Sequence, residues 1–87
     1  MPTICMFFGI KILMNWNDHM PPHFHVEYNE NKAIVDIINT KVIKGFLPKR
    51  QLRLVLAWAE LHKDELMQNW ELAREGKELN AIKGLEV

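Results

Sequence analysis

The stretch Asn17-Asp18-His19-Met20-Pro21-Pro22-His23-Phe24-His25 gathers three of the chain's four histidines within seven positions, around two prolines that stiffen the approach to the last pair. Imidazole is the side chain best suited to proton transfer near neutrality, and as a neutral ring it is a common metal ligand. In a strand starting at this point, the two-residue period puts His23, His25 and Glu27 on one face and Phe24, Val26 and Tyr28 on the other. One face then reads as core and the other as a site.

Three chemistries fit those side chains. A mononuclear metal centre would take neutral nitrogens from His23 and His25, joined by His19, with Glu27 or Asp18 as oxygen ligand or outer acceptor; a divalent metal such as zinc is the expected cofactor. A metal-free ribonuclease would use His23 and His25 as base and acid, Glu27 to tune a ring, and Lys44, Arg50 and Arg53 to hold phosphate. In the third reading the histidines bond to one another, to Asp18 or to loop backbone, and fix a stiff loop that a partner recognises. The residue types alone leave all three open.

The elements that must position this cluster follow from periodicity. Ile10, Ile12, Met14 and Trp16 alternate through Phe8 to Trp16, which marks a strand with one buried face. Thr3 to Phe7 is apolar on both faces and reads either as an edge strand or as the start of the same strand bent at Gly9. Residues Asn17 to Pro22 form a loop, because Asn-Asp favours turns and each residue before a proline is pushed out of the helical region. His23 to Tyr28, Ala33 to Ile38 and Lys41 to Phe46 read as strands joined by connections short enough to require antiparallel neighbours.

From Pro48 the pattern changes. Proline suits a first helical position, and no glycine or proline interrupts the run until Gly76. Leu52, Val55, Leu56, Ala59, Leu66, Met67, Trp70 and Ala73 share one broad arc at helical spacing, and Leu54, Trp58, Leu61 and Leu72 form a second stripe. A sheet covers the first arc. The second predicts a partner or self-association surface unless the tail, through Leu79, Ile82 and Leu85, folds back over it. His62 falls at the margin of the buried arc and is expected to complete the core.

Composition bounds the rest. With 87 residues the chain supports one core, and its single cysteine, Cys5, excludes an intrachain disulfide and a four-cysteine metal site. That cysteine usage fits a reducing cytoplasm. The apolar opening Met1 to Met14 is far short of the ~20 residues of a membrane span. Eleven basic and eleven acidic side chains cancel, so no global pull toward nucleic acid or anionic membrane exists. Locally, Lys41, Lys44, Lys49, Arg50 and Arg53 make a basic middle, and Glu60, Asp64, Glu65, Glu71, Glu75 and Glu78 an acidic end.

The residues also resemble a known family. Met1-Pro2-Thr3-Ile4, the Asn17 to His25 element, Gly45-Phe46-Leu47-Pro48, the run from Leu52 to His62 with its Trp58-Ala59-Glu60-Leu61-His62, and Asn69-Trp70 are similar to the bacterial domain-of-unknown-function family 4160. Many of its members carry a further proline where Met20 stands. The resemblance implies no catalytic assignment, since the family's activity is not established. It implies a context: a small bacterial protein encoded beside a second short protein that resembles helix-turn-helix DNA-binding proteins, as in a toxin–antitoxin or regulatory pair.

The expectation is therefore a single α+β domain over residues 1–87. An antiparallel sheet of about four strands is covered by one long helix from Pro48 to Glu75. The expected function is that of a cytoplasmic component of a toxin–antitoxin-like two-gene module, working through a homodimer or a neighbouring gene's product and on RNA. The alternative is a small metal-dependent enzyme or metal-binding protein using His23 and His25.

Overall fold

The computed structural model describes residues 1–86. Five strands form one antiparallel meander: β1 (Thr3–Phe7), β2 (Ile10–Leu13), β3 (His23–Tyr28), β4 (Asn31–Asp36) and β5 (Lys41–Gly45), paired in sequence order. The sheet has five strands where about four were expected, because β1 and β2 are separate. Phe8 and Gly9, both at positive φ (50° and 77°), reverse the chain between them. Two-residue hairpins require such backbone conformations to match strand twist.

Register follows burial. Ile12 lies opposite Val26, and Phe24 opposite Val35, so the fully buried positions of three strands stack on one face. The same pairing sends Lys11, Glu27 and Lys32 in one row, and Leu13, His25, Ile34 and Lys44 in the next, to the other face. Gly45, at φ +87°, is required where β5 leaves the sheet. A Cβ there would stand 2.2 Å from the Lys32 carbonyl oxygen, which accepts the Phe46 N–H.

The expected single helix is two: α1 (Lys49–Leu61) and α2 (Lys63–Arg74), broken at His62. At 1.5 Å per residue, a straight helix over both segments would run about 39 Å. The longest dimension of the molecule is 33 Å. Breaking the run lets both halves keep their apolar faces on the sheet: Val55, Trp58 and Ala59 from α1, and Leu66, Trp70 and Ala73 from α2, join Ile10, Ile12, Phe24, Val26 and Val35 in one core. At the end of α2, Gly76 takes φ 72°, and the Lys77 N–H returns to the Leu72 carbonyl, the glycine-terminated arrangement that satisfies the last carbonyls.

The second apolar stripe does not form a continuous surface. Trp58, expected as an interface anchor, is fully buried, with its ring 5.6 Å from Phe7 and 5.7 Å from Phe24 and its indole N–H donated to the Lys83 carbonyl. Leu54 and Leu72 are half-buried, leaving only Leu61 of the four well exposed. The tail supplies the cover: Ile82 is buried and donates its N–H to the Ile4 carbonyl on the β1 edge, and buried Asn69 holds Asn80 through two hydrogen bonds. Trp16, expected on a buried strand face, lies beyond β2 and is half exposed.

Candidate metal centre

The loop between β2 and β3 is tied to the end of α2. The Asn17 N–H donates to the Ala73 carbonyl at 3.0 Å, and the Trp16 indole N–H to the Lys77 carbonyl at 2.8 Å. At its other end the Pro22 carbonyl accepts the Ile37 N–H. Asp18, suspended between these ties, turns its carboxylate toward the first residues of β3. One oxygen, Oδ1, accepts the His19 backbone N–H at 3.0 Å. The other, Oδ2, lies 2.9 Å from His23 Nε2 and 3.5 Å from His25 Nε2.

The second nitrogen of His23 fixes the reading of the ring. Nδ1 stands 2.7 Å from the Pro21 carbonyl oxygen, which can only accept, so Nδ1 carries a proton. In a neutral ring Nε2 is then a bare lone pair facing a carboxylate oxygen. Two lone pairs at 2.9 Å repel, and only a cation between them resolves the contact: a second proton, making an imidazolium, or a metal ion. Burial raises the Asp18 carboxyl, but the His19 N–H and the rings of His23 and His25 outweigh it and hold the group below the usual carboxylate range. The carboxylate is therefore anionic at neutral pH.

Asp18, His23 and His25 each offer one ligand atom, all within 4.8 Å of one another. Ligands of a tetrahedral ion with ~2.0 Å bonds lie about 3.3 Å apart, between the two distances found here. A protonated Nδ1 on a backbone carbonyl is also the usual outer contact of a ligating histidine, which presents Nε2 to the metal. The wall behind is a tryptophan: the Trp70 ring packs 5.2 Å from His23, and Trp70 Nε1 is buried without a hydrogen-bond partner among the described residues.

Of the residues expected in the site, His23 and His25 converge and His19 does not. The His19 side chain is 94% exposed, with Nδ1 3.3 Å from Asp18 Oδ1, on the side away from the other rings' oxygen. Of the two carboxylates expected as oxygen ligand or outer acceptor, Asp18 stands with the two rings and Glu27 does not. Glu27 makes no hydrogen bond to either ring among the described residues; it lines a cavity of about 270 Å³ with His25, Lys32 and Lys44. Lys44 thus shares a surface with His25, whereas Arg50 and Arg53 project from α1 and do not line it. Lys32 was missed, although its place opposite Glu27 follows from the β3–β4 register. His62 stands apart at the helix break, bonded to Glu65 and packed 5.5 Å from Trp58.

Neither a serine nor a cysteine nucleophile has support. The sequence holds no serine, and burial pushes the Cys5 thiol up, with Glu65 adding to the rise against the Met6 N–H. A five-stranded meander backed by a broken helix pair, with a two-histidine, one-carboxylate cluster at the loop entering its central strand, defines a small α+β protein with a candidate metal centre. The chain belongs to the family described as Domain of unknown function (DUF4160), whose model matches residues 9–71 and so spans β2 through most of α2, including every cluster residue. Comparison with curated proteins and with solved structures returned no match. No helix among the described residues is long and apolar enough to cross a membrane.

Proposed function

We propose that this protein is a small metal-dependent enzyme or metal-binding protein that holds one divalent transition-metal ion, zinc foremost, on Nε2 of His23, Nε2 of His25 and a carboxylate oxygen of Asp18. The observation that carries the reading is the His23 ring, which gives its Nδ1 proton to the Pro21 carbonyl and turns Nε2 onto the Asp18 carboxylate. Three protein ligands are the number found in catalytic zinc sites, where the remaining position holds water or substrate. A bound ion of this kind lowers the pKa of its water and polarises an oxygen of the substrate. Glycine-free loop ties to α2 keep Asp18 in place. Calorimetric titration of purified protein with zinc should give about one ion per chain, and the double change His23→Ala with His25→Ala should abolish binding. Absence of heat with the wild-type protein, together with no metal on elemental analysis, would refute the proposal.

The two-gene reading is compatible with this chemistry and rests on a separate observation. Strand β5 is a sheet edge exposed along most of its length, with Ile43 and Phe46 in solvent, whereas the β1 edge already receives a bond from the tail. Free edges pair readily with another chain. In this reading the protein acts in the cytoplasm as one half of a toxin–antitoxin-like or regulatory module, and β5 receives the neighbouring gene's product. Coexpression should give a complex that Ile43→Lys disrupts. A complex unaffected by that change would place the partner elsewhere.

A further inference from the structure

We infer that the open face of the sheet beside the metal ligands is a binding groove for a phosphoester, with the phosphate held between Lys32 and Lys44. This rests on the metal reading for its position, because His25 belongs both to the ligand cluster and to the groove. The groove is the cavity of about 270 Å³ bordered by Met1, His25, Glu27, Lys32, Ile34 and Lys44. Its volume falls just below the ~300–1,000 Å³ of sites for drug-sized ligands, which suits a nucleotide or the end of a nucleic-acid strand.

Charge decides the ligand class. Among the described residues, neither Lys32 nor Lys44 forms an ion pair, although Glu27 stands opposite Lys32 across the β3–β4 ladder. Lys44 pairs across from Ile34, two residues from Lys32 on the same face, a diagonal relation that sets such residues about 7–8 Å apart. Two flexible ammonium groups at that spacing can close on one phosphate from either side, as point charges without a fixed fork. His25, Ile34 and Lys44 occupy one cross-strand row, so His25 lies two strand spacings, about 10 Å, from Lys44 at the backbone. A ribose and its phosphate span that interval over the apolar floor of Ile34, with Met1 as a side wall. Glu27 is the opposing charge in the groove, and its repulsion limits affinity.

The test titrates zinc-loaded and metal-free protein with 5′-AMP, inorganic phosphate, adenosine and a short oligoribonucleotide. AMP should bind and adenosine should not, with salt weakening the interaction. Changing Lys32→Ala and Lys44→Ala together should reduce AMP affinity at least about tenfold, with zinc uptake and the circular dichroism spectrum unchanged, and Glu27→Gln should tighten it severalfold. An oligoribonucleotide binding more tightly than AMP through the same lysines assigns the groove to RNA; equal affinity assigns it to a single nucleotide. Equal AMP affinity in the double variant, or adenosine binding as tightly as AMP, would overturn the inference while leaving zinc binding intact. Lysine-dependent AMP binding by protein that takes up no zinc would retain the groove and refute the metal centre.

Discussion

Replacing Trp58 with alanine separates a core residue from an interface anchor. The side chain is fully buried, stacks near Phe7, Phe24 and His62, and donates its indole N–H to the Lys83 carbonyl. Truncating a buried tryptophan costs about 3–5 kcal/mol, from lost transfer energy and the cavity left behind. For 87 residues, at about 0.05–0.15 kcal/mol each, total stability is roughly 4–13 kcal/mol. Trp58→Ala should therefore remove about a quarter of it or more. With a urea dependence of about 1.5 kcal/mol per molar, the unfolding midpoint should fall by about 2–3 M, as followed by circular dichroism. Trp58→Phe keeps a ring against Phe7 and Phe24 but loses the Lys83 bond and some volume, and should fall between. Sizing of the folded fraction should not change. A loss under about 1 kcal/mol accompanied by conversion of a dimer to a monomer would refute the burial argument and return Trp58 to an interface.

Asp36 is buried, and although burial raises its carboxyl, the Asn39 side chain and the backbone N–H groups of Asn39 and Ile38 hold it below the ordinary carboxylate range. Its contribution to stability is complete above the unfolded-state pKa and is lost as pH falls through the lower folded value. Asp36→Asn should cost about 1–3 kcal/mol at pH 7 and flatten the acid limb of denaturant midpoint against pH; an unchanged limb would contradict this. Gly45→Ala should destabilise the β4–β5 pairing by more than 1 kcal/mol or so, since both the positive φ and the Lys32 carbonyl oppose a Cβ, and a neutral effect in a thermal melt would refute it. His19→Ala should leave zinc affinity within about threefold of wild type, whereas His25→Ala should lower it by about 100-fold or more; equal losses would show that His19 enters the coordination sphere.

Much of the sheet was legible because burial on one face leaves a two-residue signature. Phe24 and Val26 against His25 and Glu27 gave both the core and the site side of β3, and the loop from Asn17 to Pro22 followed from turn chemistry. The β1–β2 hairpin was left unresolved because Phe8 is an unusual residue at positive φ and carries no turn signal. His62 broke the helix without glycine or proline; the limit there is the size of the sheet, a tertiary constraint that periodicity does not express. Helical periodicity measures apolar width, so it left Trp58 open between an interface and a cover by the tail, and the contacts of Ile82 and Lys83 decide for the tail. Lys32 enters the groove through strand register, which joins residues that local spacing does not relate; Asp18, His23 and His25 are legible because their spacing is local.

The central claim is that His23 Nε2 and Asp18 Oδ2 face each other because a metal ion belongs between them. A crystal structure of zinc-loaded protein, with anomalous data collected on both sides of the zinc edge, tests it directly. The account predicts one peak per chain, about 2.0–2.1 Å from Nε2 of both His23 and His25 and about 2.0–2.2 Å from an Asp18 oxygen, with His23 Nδ1 still bonded to the Pro21 carbonyl. No peak at that position, with His23 Nε2 hydrogen-bonded straight to Asp18 at full zinc concentration, would show an imidazolium–carboxylate pair and contradict it.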